Sequence, residues 1–444
     1  MKEFMYCLII ATISVFVLAD AKKTPQDFIK SAEEKLKTGD FKNAILDYDE
    51  AIKLDPGLAD TYTDRGKTRI GLEDFPNAIR DCEKAIKLNP QHTPAYYCRG
   101  IANHSSKNYT AALQDFDTAI RLNPNLAQFY YSRSLTKYML EDVPAAVLDC
   151  SAAIKLNPKY TEAHFWRGHF KYIMRDYRGA FNDFTVLIHL KQNNPKTYCH
   201  RAMARDMLND LPGAIQDYTA AINMKKDYTE AYAGRGMVKS KQKDYRGAIQ
   251  DFNETIQLDP KIADAYYHRG MTKYLLKDYQ GSIQDYDTMI DLDPYRAEAY
   301  RARAAVRADL REYKEAVKDY DRALKINPSL ADIYRNRGVV KFQINDYKGA
   351  IRDFDDAVRA GTKDMAPYLF RGAARVELKD FNGSMQDLNT AITLVPKNAR
   401  AYYYRGLAKN GIGNKNEACR DFKKAMELGE EKAREISKNI CGTK

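Results

Sequence analysis

An all-α solenoid of helix hairpins is the fold class this sequence predicts, and three observations predict it. A 34-residue pattern starts at Pro25 and recurs twelve times to Lys432 without insertion or deletion. Each unit holds two stretches of helical spacing, parted by Asp or Asn near its middle and closed by Pro near its end. Small residues recur at two fixed offsets, where paired helices must approach closely. Such an array has no single core and grows layer by layer, so chain length is no guide to domain number.

The elements follow in order. Residues 1–21 stand outside the repeat: Lys2 gives a basic start, Met5 to Ala19 is apolar, and Ala19, Asp20 and Ala21 form a small-x-small cleavage signature. This reads as a secretory signal peptide, too short for a spanning helix and followed at once by charged sequence. Cys7 lies in the middle of the apolar run, which argues against a lipoprotein attachment site. Residues 22–24 form a short linker, and no later stretch is apolar enough to span a bilayer. The mature chain is expected to be exported, periplasmic or secreted.

The repeats occupy 25–58, 59–92, 93–126, 127–160, 161–194, 195–228, 229–262, 263–296, 297–330, 331–364, 365–398 and 399–432. Numbering each unit 1 to 34, position 16 supplies an N-cap for the second helix (Asp40, Asp74, Asn108, Asp176, Asp244, Asp278). Position 32 supplies the terminating proline (Pro56, Pro90, Pro124, Pro158, Pro260, Pro294, Pro328, Pro396). Gly at position 8, as in Gly66, Gly100, Gly236 and Gly406, meets Ala at position 20, as in Ala44, Ala78, Ala112 and Ala350. Phe or Tyr at position 24, such as Phe116, Phe184 and Tyr320, fills the space beside that contact.

The chain resembles the tetratricopeptide repeat family at the aromatic, Gly, Ala, Phe/Tyr and Pro offsets. It departs where the family's Leu becomes Arg and its first-helix Tyr becomes Lys or Arg. The resemblance implies a right-handed superhelix whose inner surface is lined by the first helices. Family members that clamp acidic C-terminal peptides carry Lys at position 5 and Asn at position 9; no unit here has that pair.

The departures obey a rule of their own. Position 7 is Arg in every repeat but the first, and position 23 is Asp in all twelve. In an antiparallel hairpin these two positions lie opposite one another, which predicts ion pairs such as Arg65 with Asp81, Arg99 with Asp115 and Arg269 with Asp285. Read alone, the Arg row would suggest a nucleic-acid track, but an Asp for each Arg makes nucleic acid an unlikely partner. Position 11 carries a second basic row, including Arg69, Lys137, Lys171, Lys239 and Lys273. These stems either pack while their charges reach solvent or a carboxylate, or they form a positive edge.

Positions 2, 5, 9 and 12 of the first helix are what the resemblance offers to ligands. They carry Tyr97, Ile101, Tyr131, Leu135, Tyr138, Phe165, His169 and Tyr172, continued by Met203, Met237, Tyr267, Met271 and Tyr274, with the only Trp, Trp166, beside Phe165. Packing between neighbouring first helices competes with binding for these side chains. The densest cluster is His164, Phe165, Trp166, His169 and Tyr172. Aromatic anchors of this kind are common interface hot spots. Leu187 in place of Ala, with Gln192 and Lys226 in place of Pro, marks a break in the pattern nearby.

Cys82 and Cys150 occupy the aromatic offset and read as buried apolar residues. Cys419 and Cys441 are the pair expected to form a disulfide, stapling the last repeat to a cap over 433–444. There Ala433, Ile436 and Ile440 make an apolar stripe on a charged helix. The seven His show no HExxH spacing, the Cys no CxxC, and no Gly loop could cradle phosphate. No metal, cofactor or catalytic residue is predicted. Asn103, Asn108, Asn253 and Asn382 open glycosylation patterns that fall within regular repeats and read as coincidence. The expected function is a non-catalytic scaffold binding a protein or peptide. The alternative is a binder of anionic polymer, envelope polysaccharide or nucleic acid, drawn by a net charge of +11.

Overall fold

The computed structural model describes residues 23–190 and 194–442, so the predicted signal segment and Gln192 lie outside the described residues. Among the described residues there are twenty-five α-helices, from Pro25–Lys37 to Lys432–Cys441, and no strand. They form twelve hairpins and one final helix, an α-solenoid in which each hairpin packs on the next within its unit. Two compact units are distinguished, dividing at Ala221.

Each hairpin is built by the same local devices. A first helix such as Tyr62's, Ala59–Gly71, is followed after three residues by a second, Phe75–Leu88. The turn between them places position 15 in the left-handed region in every repeat. There Gly39 and Gly413 are joined by Glu73, Lys107, Glu141, Arg175, Asn209, Lys243, Lys277, Arg311, Asn345 and Lys379, with φ near +60°. The following amide then bonds back to the first helix, as Asp74 N–H does to the Arg69 carbonyl at 2.9 Å. Position 16 caps the second helix as the sequence predicts at Asp40, Asp176, Asp244 and Asp278. Asp74 and Asn108 lack that bond; the Asp74 carboxylate accepts instead from the Asn77 side chain.

The unit's end carries a signal that the proline alone does not convey. The Asp or Asn before it accepts a hydrogen bond from the amide two residues on, as Asp55 does from Gly57 at 2.9 Å and Asn157 from Lys159 at 3.1 Å. Side chain and proline together turn the chain toward the next repeat.

The core of each hairpin lies between its two helices and the next first helix. The small residue at position 20, Ala in ten repeats and Ser282 or Ser384 in the other two, is fully buried throughout the array, and the position-24 rings of Phe116, Phe184, Phe252 and Phe354 lie beside it. The small residue at position 8 mainly makes room for that ring: a Cβ on Gly100 would stand 2.6 Å from Phe116 Cε1. Cys82 and Cys150 fill the ring's place as buried thiols. Leu187 is likewise buried, against Phe184 and Ala204. Helix Lys432–Cys441 closes the second unit, with Ala433 buried and Ile436 and Ile440 packed on Tyr403 and Phe422. A Cys419–Cys441 disulfide ties it down.

Candidate partner-binding surface

The charged rows determine what the rest of the surface can do. Every position-7 Arg from Arg65 to Arg405 donates through Nε and Nη2 to the Asp sixteen residues on. Arg65 to Asp81 spans 3.0 and 2.6 Å, Arg99 to Asp115 3.1 and 2.7 Å, and Arg269 to Asp285 3.0 and 2.5 Å. The Arg sits over the ring of the position-4 Tyr, as Arg65 over Tyr62 at 5.4 Å from the centroid. The second basic row converges on the same carboxylates: Arg69 on Asp81 at 2.6 Å, Lys137 on Asp149 at 2.8 Å, Lys273 on Asp285 at 2.9 Å. In the first repeat, where position 7 is Ser31, Lys35 is the cation that pairs with Asp47. Position 11 is therefore neutralised inside the hairpins, and the positive edge is not formed by it.

Sequence reading missed a third partner. The remaining guanidinium nitrogen, Nη1, reaches residue 25 of the preceding repeat: Arg65 to Asp49 at 2.5 Å, Arg133 to Asp117 at 2.7 Å, Arg371 to Asp355 at 2.6 Å and Arg405 to Asn389 at 2.8 Å. Each such Arg locks its own hairpin and staples it to its neighbour. The recurring polar residue at position 25 was the available signal.

The predicted aromatic face is half spent on packing. Tyr97 lies 5.8 Å from Phe116 and 4.8 Å from Phe129, ring to ring, and its hydroxyl bonds to Ser132 Oγ at 3.1 Å. It also borders a cleft of about 500 Å³ shared with Lys67, His92 and Phe129. Ile101 and Leu135 are half-buried, Leu135 packing with Tyr138 and Trp166 against Ala146, Cys150 and Phe170. Tyr131 faces Tyr160 at 5.1 Å, and burial pushes its phenol up to about 12.

The structure does gather the cluster around Trp166. Its ring lies 6.1 Å from Tyr138 and Phe165 and 5.6 Å from His169 and Phe170. Phe165 continues to His200 at 5.0 Å, with the Lys196 ammonium 4.9 Å above its face. Tyr172 leans on Tyr177 instead. Burial holds the His169 and His200 imidazoles below their ordinary pKa. Trp166, Phe165, His169 and Tyr138 nonetheless remain partly exposed.

His164 does not belong to this cluster, contrary to the sequence expectation. It takes the place of the position-4 Tyr and turns inward, its Nε2 3.0 Å from the Pro158 carbonyl and its Nδ1 3.6 Å from Asp183. Four-residue helical spacing puts position 4 on the hairpin side, away from positions 5 and 9.

In the second unit the face is thinner. Met237 and Met271 are exposed, Tyr267 packs on Tyr286 at 6.0 Å, and the Tyr274 hydroxyl donates to Asp309 at 2.6 Å. That hydrogen bond pushes the Tyr274 phenol up to about 12. Asn103, one of the glycosylation patterns, is buried and donates to Asp115.

No group of three metal-ligating side chains that could hold an ion occurs among the described residues, and no described helix is long and apolar enough to cross a membrane. Profiles described as Tetratricopeptide repeat match residues 29–58, 59–92, 93–126 and 233–297, and one described as TPR repeat matches 307–345. No curated protein matches the chain. Among solved structures, yeast Tom70 matches at 16% identity and TM-score 0.38, covering 94% of this chain and 96% of that one. A tetratricopeptide repeat protein from Parabacteroides merdae matches at 20% identity and TM-score 0.41, covering 56% and 98%. The Cut9–Hcn1 hetero-tetramer of the APC/C matches at 13% identity and TM-score 0.42, covering 98% of each.

Proposed function

This chain is a tetratricopeptide repeat protein, and from that premise we propose that it is a non-catalytic scaffold holding a protein or peptide partner on its first helices. One observation carries the reading: the Trp166 cluster is a contiguous, partly exposed aromatic surface on hairpins whose position-7 and position-11 cations are already paired. Anchors of this kind supply large contact area at low entropic cost. Helices locked by the Arg staples present them without rearrangement, which lowers the cost of association.

The scaffold is exported in this reading. The apolar residues 5–19 supply the address, and the Cys419–Cys441 bridge suits an oxidising compartment. Capture from an envelope fraction, comparing wild type with Phe165→Ala and Trp166→Ala, tests the proposal. One protein should be retained by wild type and lost by both variants, with circular dichroism unchanged and only modest sensitivity to salt. Retention by all three, or binding that collapses steeply with salt, sinks it and favours an anionic polymer.

A further inference from the structure

In the twelfth repeat the position that elsewhere offers an acceptor carries a cation. Position 25 is Asp49, Glu83, Asp117, Ser151, Thr185, Thr219, Asn253, Asp287, Asp321, Asp355 and Asn389 in the first eleven repeats, all of them groups able to accept. In the twelfth it is Lys423. Across from Lys423 stands no position-7 Arg but the final helix Lys432–Cys441, and between the two helices opens a cleft of about 660 Å³. A volume of this order accommodates a small ligand.

Four cations line it. Arg420 and Lys423 come from one wall, Arg434 and Lys438 from the other, with Met426 and the Cys419–Cys441 bridge between them. All four are exposed, and none forms an ion pair among the described residues. No carboxylate lines the cleft: Glu417 is held by Lys409 at 3.2 Å and Asp421 by Arg405 and Lys409. This contrasts with positions 7 and 11 of the earlier hairpins, where cations are matched by Asp. Like charges three or four residues apart on a helix repel, and a half-enclosed cleft sharpens their field. An anion seated between the walls relieves that repulsion.

We propose that this cleft binds a compact polyanion, a ligand presenting several phosphate or carboxylate oxygens close together. The site is separate from the Trp166 face and stands or falls independently of it. The bridge ties its two walls together, so the helices that carry the cations are joined before the ligand arrives.

Calorimetric titration of the full chain at low ionic strength, with inorganic triphosphate and with a blocked hexaglutamate peptide, tests the proposal. At least one probe should bind with one-to-one stoichiometry, and which one binds identifies the source of the oxyanions. Arg434→Glu/Lys438→Glu on one wall and Lys423→Asp on the other should each weaken binding by about tenfold or more. A charge-matched control, Lys87→Glu/Lys155→Glu, should stay within about twofold. Binding of neither probe overturns the proposal, as does an equal loss in the control, which would mean diffuse surface charge.

Discussion

The guanidinium of Arg133 grips Asp149 across its hairpin at two points, Nε to Oδ2 at 2.8 Å and Nη2 to Oδ1 at 2.6 Å. Lys137 adds a third contact to the same carboxylate at 2.8 Å, while Arg133 Nη1 reaches back to Asp117. One buried anion thus organises two cations, and one of those cations joins two repeats.

Removing the anion should therefore cost far more than removing the outer acceptor. Asp149→Ala strands two partly buried cations and is expected to lose about 3 kcal/mol or more. Asp117, whose side chain is 55% exposed, should cost under about 1 kcal/mol when replaced by Ala. Replacing Arg133, Lys137 and Asp149 together by Met, Met and Leu should recover most of the first loss, since no buried charge is then left unpaired and Asp117 is exposed. Urea unfolding of the four proteins measures the order, and equal losses at Asp149 and Asp117 would refute it.

The left-handed turn residues are a second reservoir. Lys277 and Arg311 sit at φ 64° and 61°, a conformation in which a Cβ crowds the following carbonyl. Lys277→Gly should raise the thermal midpoint, gaining up to about 1 kcal/mol less whatever the added freedom of the unfolded chain removes. Lys277→Val should lower it. A midpoint unchanged by both would show that the turn carries no strain.

Acid should loosen the repeat around His164 in a defined window. Burial alone would raise the Asp183 pKa, but the His164 ring 3.6 Å away and hydrogen bonds from Arg167 and Lys171 outweigh it and hold the carboxyl at about 2. A depressed folded pKa contributes stability that is fully present above the unfolded value near 3.8 and is lost as pH falls through 2. The stability difference between wild type and Asp183→Asn should accordingly shrink as pH drops through that range. A difference independent of pH would show that Asp183 is not the titrating group.

The hairpin was legible in the residues because its devices are local. Asp244 and Asp278 cap the helices they precede, and Arg269 meets Asp285 because sixteen residues carry the chain across one turn. The left-handed turn was less visible. Only Gly39 and Gly413, with Asn209 and Asn345, hint at it, since bonds such as Asp74 N–H to the Arg69 carbonyl hold Glu73 or Lys107 there as well. His164 misled because it stands next to Phe165 in sequence, yet one helical step of about 100° turns it onto the hairpin side. The share of Tyr97 spent on Phe129 could not be read either, for that ring belongs to the next repeat.

The sequence by itself determined the repeat, the two helices in each unit and the Arg–Asp pairing within it. All three depend on spacings that helix geometry converts directly into distance. Only the tertiary structure decided how repeats share their side chains. It placed Arg133 on Asp117 as well as Asp149, brought Tyr138, Trp166 and Phe170 into one cluster, and opened a cationic cleft between Lys423 and Lys438. Those contacts depend on the angle at which one hairpin packs on the next, and side-chain volumes across many residues set that angle. A 34-residue period states that neighbours meet; packing decides which atoms they share.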